Sequence, residues 1–125
     1  MDDDEYHQAP LDLQDNYITF IGAGRLHSGA VSAQGWLFTW GEGGYGNLGH
    51  GDGQSKLVPT LVAGSPFGGA RATMASCGDR NTLVVTHDGS LWSSGVCRCE
   101  GSNEAESSDF FSFVRVWFPG GAARI

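Results

Sequence analysis

At 125 residues the chain has room for one domain and a modest core. Twenty glycines against seven lysines and arginines imply many tight turns and few long helices. Of the fourteen acids, Asp2, Asp3, Asp4, Glu5, Asp12 and Asp15 all precede the first base, Arg25, so the net charge of −7 sits largely at the N-terminus. Beyond residue 15, eight acids face seven bases; no basic stripe is visible, which argues against direct binding of nucleic acid.

Residues 1–16 read as an acidic flexible arm without a sustained period. They lack the apolar run of a signal peptide, and no stretch approaches the roughly eighteen apolar residues of a membrane span. Cys77, Cys97 and Cys99 are odd in number and poorly spaced for a disulfide framework, which favours a reducing compartment. The expectation is an intracellular protein, cytoplasmic or nuclear.

From residue 16 the pattern is short strands punctuated by glycine. Ile18–Ala23 is apolar on both faces and predicts a buried strand ending at Gly24. His27–Ala33 is small and mixed, and ends at the turn Gln34-Gly35. Trp36–Trp40 alternates, with Trp36, Phe38 and Trp40 on one face, expected in the core, and Leu37 and Thr39 on the other. A glycine-dense loop follows, Gly41-Glu42-Gly43-Gly44-Tyr45-Gly46-Asn47-Leu48-Gly49-His50-Gly51-Asp52. Leu57–Ala63 is a fourth strand, pushed to a sheet edge by Pro59. Gly64–Ala70, with Pro66, Gly68 and Gly69, is a linker.

The same order then recurs. A displacement of 54 residues lays Gly24 on Gly78, Val31 on Val85, Gly35 on Gly89, Leu37 on Leu91 and Gly41 on Gly95. Thr19 falls on Thr73, Phe38 on Trp92 and Val62 on Val116, while His27-Ser28 falls on Asn81-Thr82. Between 42 and 61 there are no identities, so the repeat is clear in its first half and decayed in its second. Such a period signals a solenoid or a propeller.

The spaced pattern Gly24-x-x-His27-Ser28, Gln34-Gly35-x-Leu37-Phe38-x-Trp40-Gly41, Tyr45-Gly46-x-Leu48-Gly49-His50-Gly51 and Pro59 resembles the repeat of the regulator of chromosome condensation family. The resemblance is strong over 18–63, moderate over 72–95 and weak over 96–118, where Val96-Cys97-Arg98-Cys99-Glu100 replaces the glycine-tyrosine-glycine turn. It implies an all-β chain of two tandem four-stranded antiparallel blades, a partial β-propeller: one repeat over 17–64, a degenerate one over 71–118, and a tail or linker over 119–125. Stacked repeats generally need at least three neighbours. Two blades leave open flanks, so further blades or self-association are expected.

Other motifs have blander readings. Gly44-x-Gly46-x-x-Gly49 matches a dinucleotide fingerprint, but turn residues follow it where a helix is needed. His27 and His50 are expected to tie down backbone groups, His87 to sit solvated in a turn, and Cys77 to be packed. Cys97-x-Cys99 is too short for a zinc knuckle, and the loop Glu100–Asp109 reads as a surface insertion whose Phe110-Phe111-x-Phe113 exit returns to the sheet. Ser28, His27 and Asp52 make a triad only on paper. No catalytic, cofactor or metal residue is assigned.

The expected function is a non-enzymatic protein-interaction module, part of a larger propeller. Its protein partner would meet loop residues flanking strand ends: Tyr45, Asp52, Arg80 and Arg98. One alternative, implied by the resemblance, is guanine-nucleotide exchange on a small GTPase; a second is a nucleotide-binding enzyme using the Gly44–Gly49 loop; a third is a secreted binder.

Overall fold

The computed structural model describes residues 16–96 and 111–118. Among the described residues, eight strands make two antiparallel sheets, each in sequential order. The first holds β1 (Ile18–Ala23), β2 (His27–Ser32), β3 (Leu37–Gly41) and β4 (Lys56–Leu61). The second holds β5 (Ala72–Cys77), β6 (Asn81–Thr86), β7 (Leu91–Gly95) and β8 (Val114–Arg115). Two successive four-stranded meanders of this kind are propeller blades. Residues 97–110, which hold Cys97, Arg98, Cys99 and the whole of the acidic insertion, lie outside the described residues, as do the expected arm up to residue 15 and the expected tail over 119–125.

The second sheet copies the first in its pairing, not only in its strand order. Phe38 pairs with Leu61 and Thr39 with Thr60; 54 positions later Trp92 pairs with Arg115 and Ser93 with Val114. Val62 N–H donates to the Leu37 carbonyl, and Val116 N–H to that of Leu91. The β2–β3 turn is closed by Gly35 at φ 86°, and the β6–β7 turn by Gly89 at the same angle. That angle lies in the left-handed region, which glycine adopts without steric penalty. Sequence identity fades after residue 41, but the backbone hydrogen bonds that carry register do not depend on side chains.

The sheets pack face to face. Because strand side chains alternate, the odd positions of β2 point toward the second sheet and the even positions of β6 point back. Val31 and Leu37 from the first sheet meet Ala72, Ala75 and Val84 from the second in one core. Val62, Phe67 and Phe113 close it. Phe67 lies edge-on to both Trp92 and Phe113, with centroids 5.7 and 5.1 Å apart. This plug comes from the Pro- and Gly-rich linker.

Two burial expectations are corrected. β1 is not a buried strand: it is an edge, and Ile21 is 73% exposed. One face of β1 lies on β5, and the other faces away from the second sheet. In β3 the deepest residues are Leu37 and Thr39, whereas Trp36, Phe38 and Trp40 are half-buried. The face that carries the bulky aromatics is the one turned away from the second sheet.

Candidate functional site

The meander puts the β1–β2 turn, the long β3–β4 loop and the β5–β6 turn at the same end of the pair. Three contacts fix their relative positions. Glu42 N–H donates to the Leu26 carbonyl, and the Asn47 side-chain amide donates to the Glu42 carbonyl at 2.8 Å. Arg25 N–H reaches the Gly78 carbonyl across the two sheets. Gly41 makes the exit from β3 possible: its φ is 107°, and a Cβ there would stand 2.6 Å from the Leu26 carbonyl oxygen.

Beneath this end lies a buried polar layer. His27 Nε2 is 2.8 Å from Thr82 Oγ1, and Thr82 Oγ1 is 2.6 Å from the Asn47 carbonyl. A hydroxyl has one proton, and the carbonyl can only accept it, so Nε2 carries the hydrogen of the His27 ring. The same logic holds for His50. Thr39 Oγ1 donates to the Leu48 carbonyl at 2.8 Å, and His50 Nε2 therefore donates to Thr39 Oγ1 at 2.9 Å. Burial holds both imidazoles below the ordinary histidine range. At His27 the Asn81 backbone offsets part of this; at His50 the Lys56 charge adds to it, against Asp52. The Asn81 backbone at His27 and the Thr39 backbone at His50 agree with the expectation that these rings tie down backbone, and each ring also grips a threonine hydroxyl, which grips backbone in turn. Among the described residues, His27 Nδ1 and Asn47 Oδ1 are buried without a hydrogen-bond partner.

Above the layer, the surface is charged and aromatic. The Arg80 guanidinium stands 4.8 Å from the centre of the Tyr45 ring, a cation–π arrangement. Arg25 and Asp79 form an ion pair at 3.4 Å, both side chains well exposed, so it contributes little to stability. A cavity of about 250 Å³ opens between Arg25, Glu42, Tyr45, Asn47, Asp79 and Arg80. It offers two guanidinium groups, two carboxylates and an aromatic ring to a ligand with charge and hydrogen-bonding capacity.

Of the residues expected at an interface, Tyr45 and Arg80 are therefore together. Asp52 has a local task, accepting the Gln54 N–H at 3.2 Å in an Asx turn. Arg98 lies outside the described residues. Sequence reading missed Arg25, Glu42 and Asp79; the placement of Arg25 and Asp79 at equivalent turns of the two repeats was the signal available.

The catalytic constellations do not assemble. Ser28 and His27 are consecutive on β2 and point to opposite faces, and the His27 ring is committed to Thr82. Residues 50–55 bend directly into β4, so no helix N-terminus receives a phosphate after Gly49. Gly49 instead lies under Phe113, whose ring is 2.2 Å from where a Cβ would be. The Gly46 carbonyl accepts from Ser94 Oγ at 2.7 Å. Those glycines serve close packing of the loop. Cys77 is half-buried, and burial raises its thiol above the ordinary range. His87 is exposed, its Nδ1 accepting the Arg71 N–H. Among the described residues, no three His, Cys, Asp or Glu side chains are grouped to hold a metal ion. No helix there is long and apolar enough to cross a membrane.

Comparison with known proteins agrees with this geometry. A model of the Regulator of chromosome condensation (RCC1) repeat matches residues 34–85. The matched unit takes β3 and β4 from the first sheet and β5 and β6 from the second, so it straddles the sheet boundary. The chain is 42% identical over 81 residues to the E3 ubiquitin-protein ligase HERC2 of Homo sapiens, covering 63% of this chain and 2% of that protein. It is 42% identical over 78 residues to the Ultraviolet-B receptor UVR8 of Arabidopsis thaliana, covering 62% of this chain and 17% of the receptor. Human WBSCR16 superposes with a TM-score of 0.72 at 22% identity, over 85% of this chain and 27% of that one. Yeast RCC1 (Prp20), solved bound to Kap60, superposes with a TM-score of 0.66 at 18% identity, over 81% of this chain and 25% of its own. The chain thus spans a small part of the proteins it matches.

Proposed function

Since this chain belongs to the regulator of chromosome condensation repeat family, we propose that it works as a non-enzymatic protein-interaction module whose loop end receives a protein partner inside the cell. The observation that supports this reading is the convergence of Tyr45, Arg80, Arg25 and Asp79, from turns of both sheets, around one polar cavity. Loops held by a rigid scaffold are where binding residues concentrate. Arginine and tyrosine are also the side chains that most often dominate protein interfaces.

The related yeast protein Prp20p has been solved with attention to its binding properties to Gsp1p and histones. Those two proteins are the first probes for the present chain. Calorimetric titration with each, repeated with Tyr45→Ala/Arg80→Ala, tests the proposal. Binding that drops at least tenfold in the double variant supports it. Binding unchanged by the double variant removes the loop end from the reading.

A second reading is nucleotide exchange, and it draws on the same relative's binding to Gsp1p. Release of a fluorescent guanine nucleotide from a small GTPase separates the two. Binding without acceleration favours the interaction module; acceleration favours exchange.

A further inference from the structure

At the loop end Arg80 is held in place and keeps its hydrogen-bonding capacity unspent. Its guanidinium carbon stands over the Tyr45 ring, 4.8 Å from the centre, and the residue is exposed. Among the described residues, its side-chain nitrogens make no hydrogen bond and no carboxylate lies within ion-pair distance of them. We propose that this stacked guanidinium seats a carboxylate of the protein partner, so that the loop end recognises an acidic segment. The proposal rests on the reading of this end as a protein interface and names the chemistry of what it receives.

The two side chains are set before any partner arrives. The Arg80 carbonyl accepts the Val96 N–H at 3.0 Å, and next to it Asn81 pairs with Gly95. Beyond Tyr45, the Gly46 carbonyl accepts from Ser94 Oγ at 2.7 Å and the Asn47 carbonyl from Thr82 Oγ1 at 2.6 Å. The backbone on both sides of the stack is thus tied to β6 and β7. A guanidinium fixed in this way keeps its fork of N–H donors and loses less freedom on binding than a mobile arginine does. A carboxylate is the side-chain group whose two oxygens match that fork.

The charges around the cavity favour the same ligand. Asp79 already has Arg25 at 3.4 Å. Glu42 turns its carboxylate toward Gly44, 3.5 Å from where a Cβ would stand. Among the described residues, Arg80 is therefore the cation of the cavity that lacks an anion. Arg25, whose own pair is long and exposed, adds a second positive end. The space suits one side chain: at about 250 Å³ it is smaller than the roughly 300–1,000 Å³ of small-molecule sites. Nucleic acid fits poorly, because its affinity comes from a track of bases along the phosphates and the cavity offers only Arg25 and Arg80.

Calorimetric titration of the whole chain with a short peptide alternating glycine and glutamate tests this, beside a twin in which every glutamate is glutamine. The glutamate peptide should bind, more weakly as salt rises, and the twin should not. Arg80→Lys keeps the charge but loses the fork and the stack, and should weaken binding about tenfold or more. Arg115→Lys is the control. Arg115 stands over Trp117 at 4.7 Å in the same manner but lines no part of this cavity, so its replacement should leave the affinity unchanged. Both arginines are exposed, and circular dichroism should show unchanged folds. The proposal is overturned if neither peptide binds, if both bind alike, or if the two lysine variants behave alike. A glutamate peptide that fails while Gsp1p or histones still bind, and still depend on Tyr45 and Arg80, overturns the acidic ligand and spares the interface. Peptide and protein partners all indifferent to Tyr45→Ala/Arg80→Ala overturn both.

Discussion

His27 in the first sheet and Thr82 in the second share a buried hydrogen bond of 2.8 Å across 55 positions of sequence. Through Thr82 the bond continues to the Asn47 carbonyl, so one hydroxyl ties β2, β6 and the glycine-rich loop. Replacing Thr82 by valine keeps the shape and removes the hydroxyl. It leaves the Nε2 hydrogen and the Asn47 carbonyl unpaired in a buried place. Thr82→Val should lower unfolding stability by about 2–4 kcal/mol in urea denaturation. A loss under half a kilocalorie would show that the layer is not structural.

The two histidines predict a pH dependence. Burial lowers the folded-state pKa of His27 and of His50 below the usual histidine value of 6.5. Between that lowered value and 6.5 the unfolded chain binds more protons than the folded one, so stability falls as pH falls. It should be complete above pH 7 and decline as the pH drops through 6.5 toward the folded pKa. The urea midpoint measured from pH 7.5 to 5 should therefore fall, and His27→Asn, the residue of the second repeat, should flatten the curve. A midpoint that rose on acidification would reverse the sign of this account.

Gly41 and Gly95 occupy equivalent strand exits, with φ of 107° and 102°. A Cβ at either would meet a backbone carbonyl, that of Leu26 at 2.6 Å or of Arg80 at 2.4 Å. Gly64 also has positive φ, 83°, but none of the described residues stands within 4 Å of its Cβ position. Gly41→Ala and Gly95→Ala should each cost about 2–4 kcal/mol, and Gly64→Ala about 1 kcal/mol. Equal losses at all three would mean that space, as opposed to backbone angle, is not limiting there.

Phe67 is 4% exposed although it comes from a linker. It joins Trp92 and Phe113 across the base of the core. Phe67→Ala should cost about 3–5 kcal/mol by thermal or urea unfolding. A variant as stable as the parent would mark the linker as a passive connection.

What the amino-acid order reveals follows from how local each cause is. Turns closed by Gly35 and Gly89 are legible because a positive φ demands glycine. Strand limits are legible from alternation between such turns, and Pro59 marks an outer edge because it cannot donate to a ladder. The pairing of β8 is nearly illegible: Val114 and Arg115 share no side-chain identity with Thr60 and Leu61, and backbone hydrogen bonds alone preserve their register. Phe67 is hidden because glycine and proline around it signal a connection. Which face of β3 is deeper depends on the second sheet, so Trp36, Phe38 and Trp40 misdirect a local reading. At the loop end, Tyr45 and Arg80 could be guessed from their places beside strand ends. Their 4.8 Å approach requires the long loop to fold back over the β5–β6 turn, which no spacing encodes.

One four-stranded unit occurs twice in a common register. Cross-strand backbone Overhauser contacts in the labelled chain read that register pair by pair. They should join Thr39 to Thr60 and, 54 positions later, Ser93 to Val114. Gly29 should lie opposite Thr39 and Leu83 opposite Ser93. Pairing of the second set in any other register, or a helix anywhere between residues 72 and 95, would rule out a repeated unit.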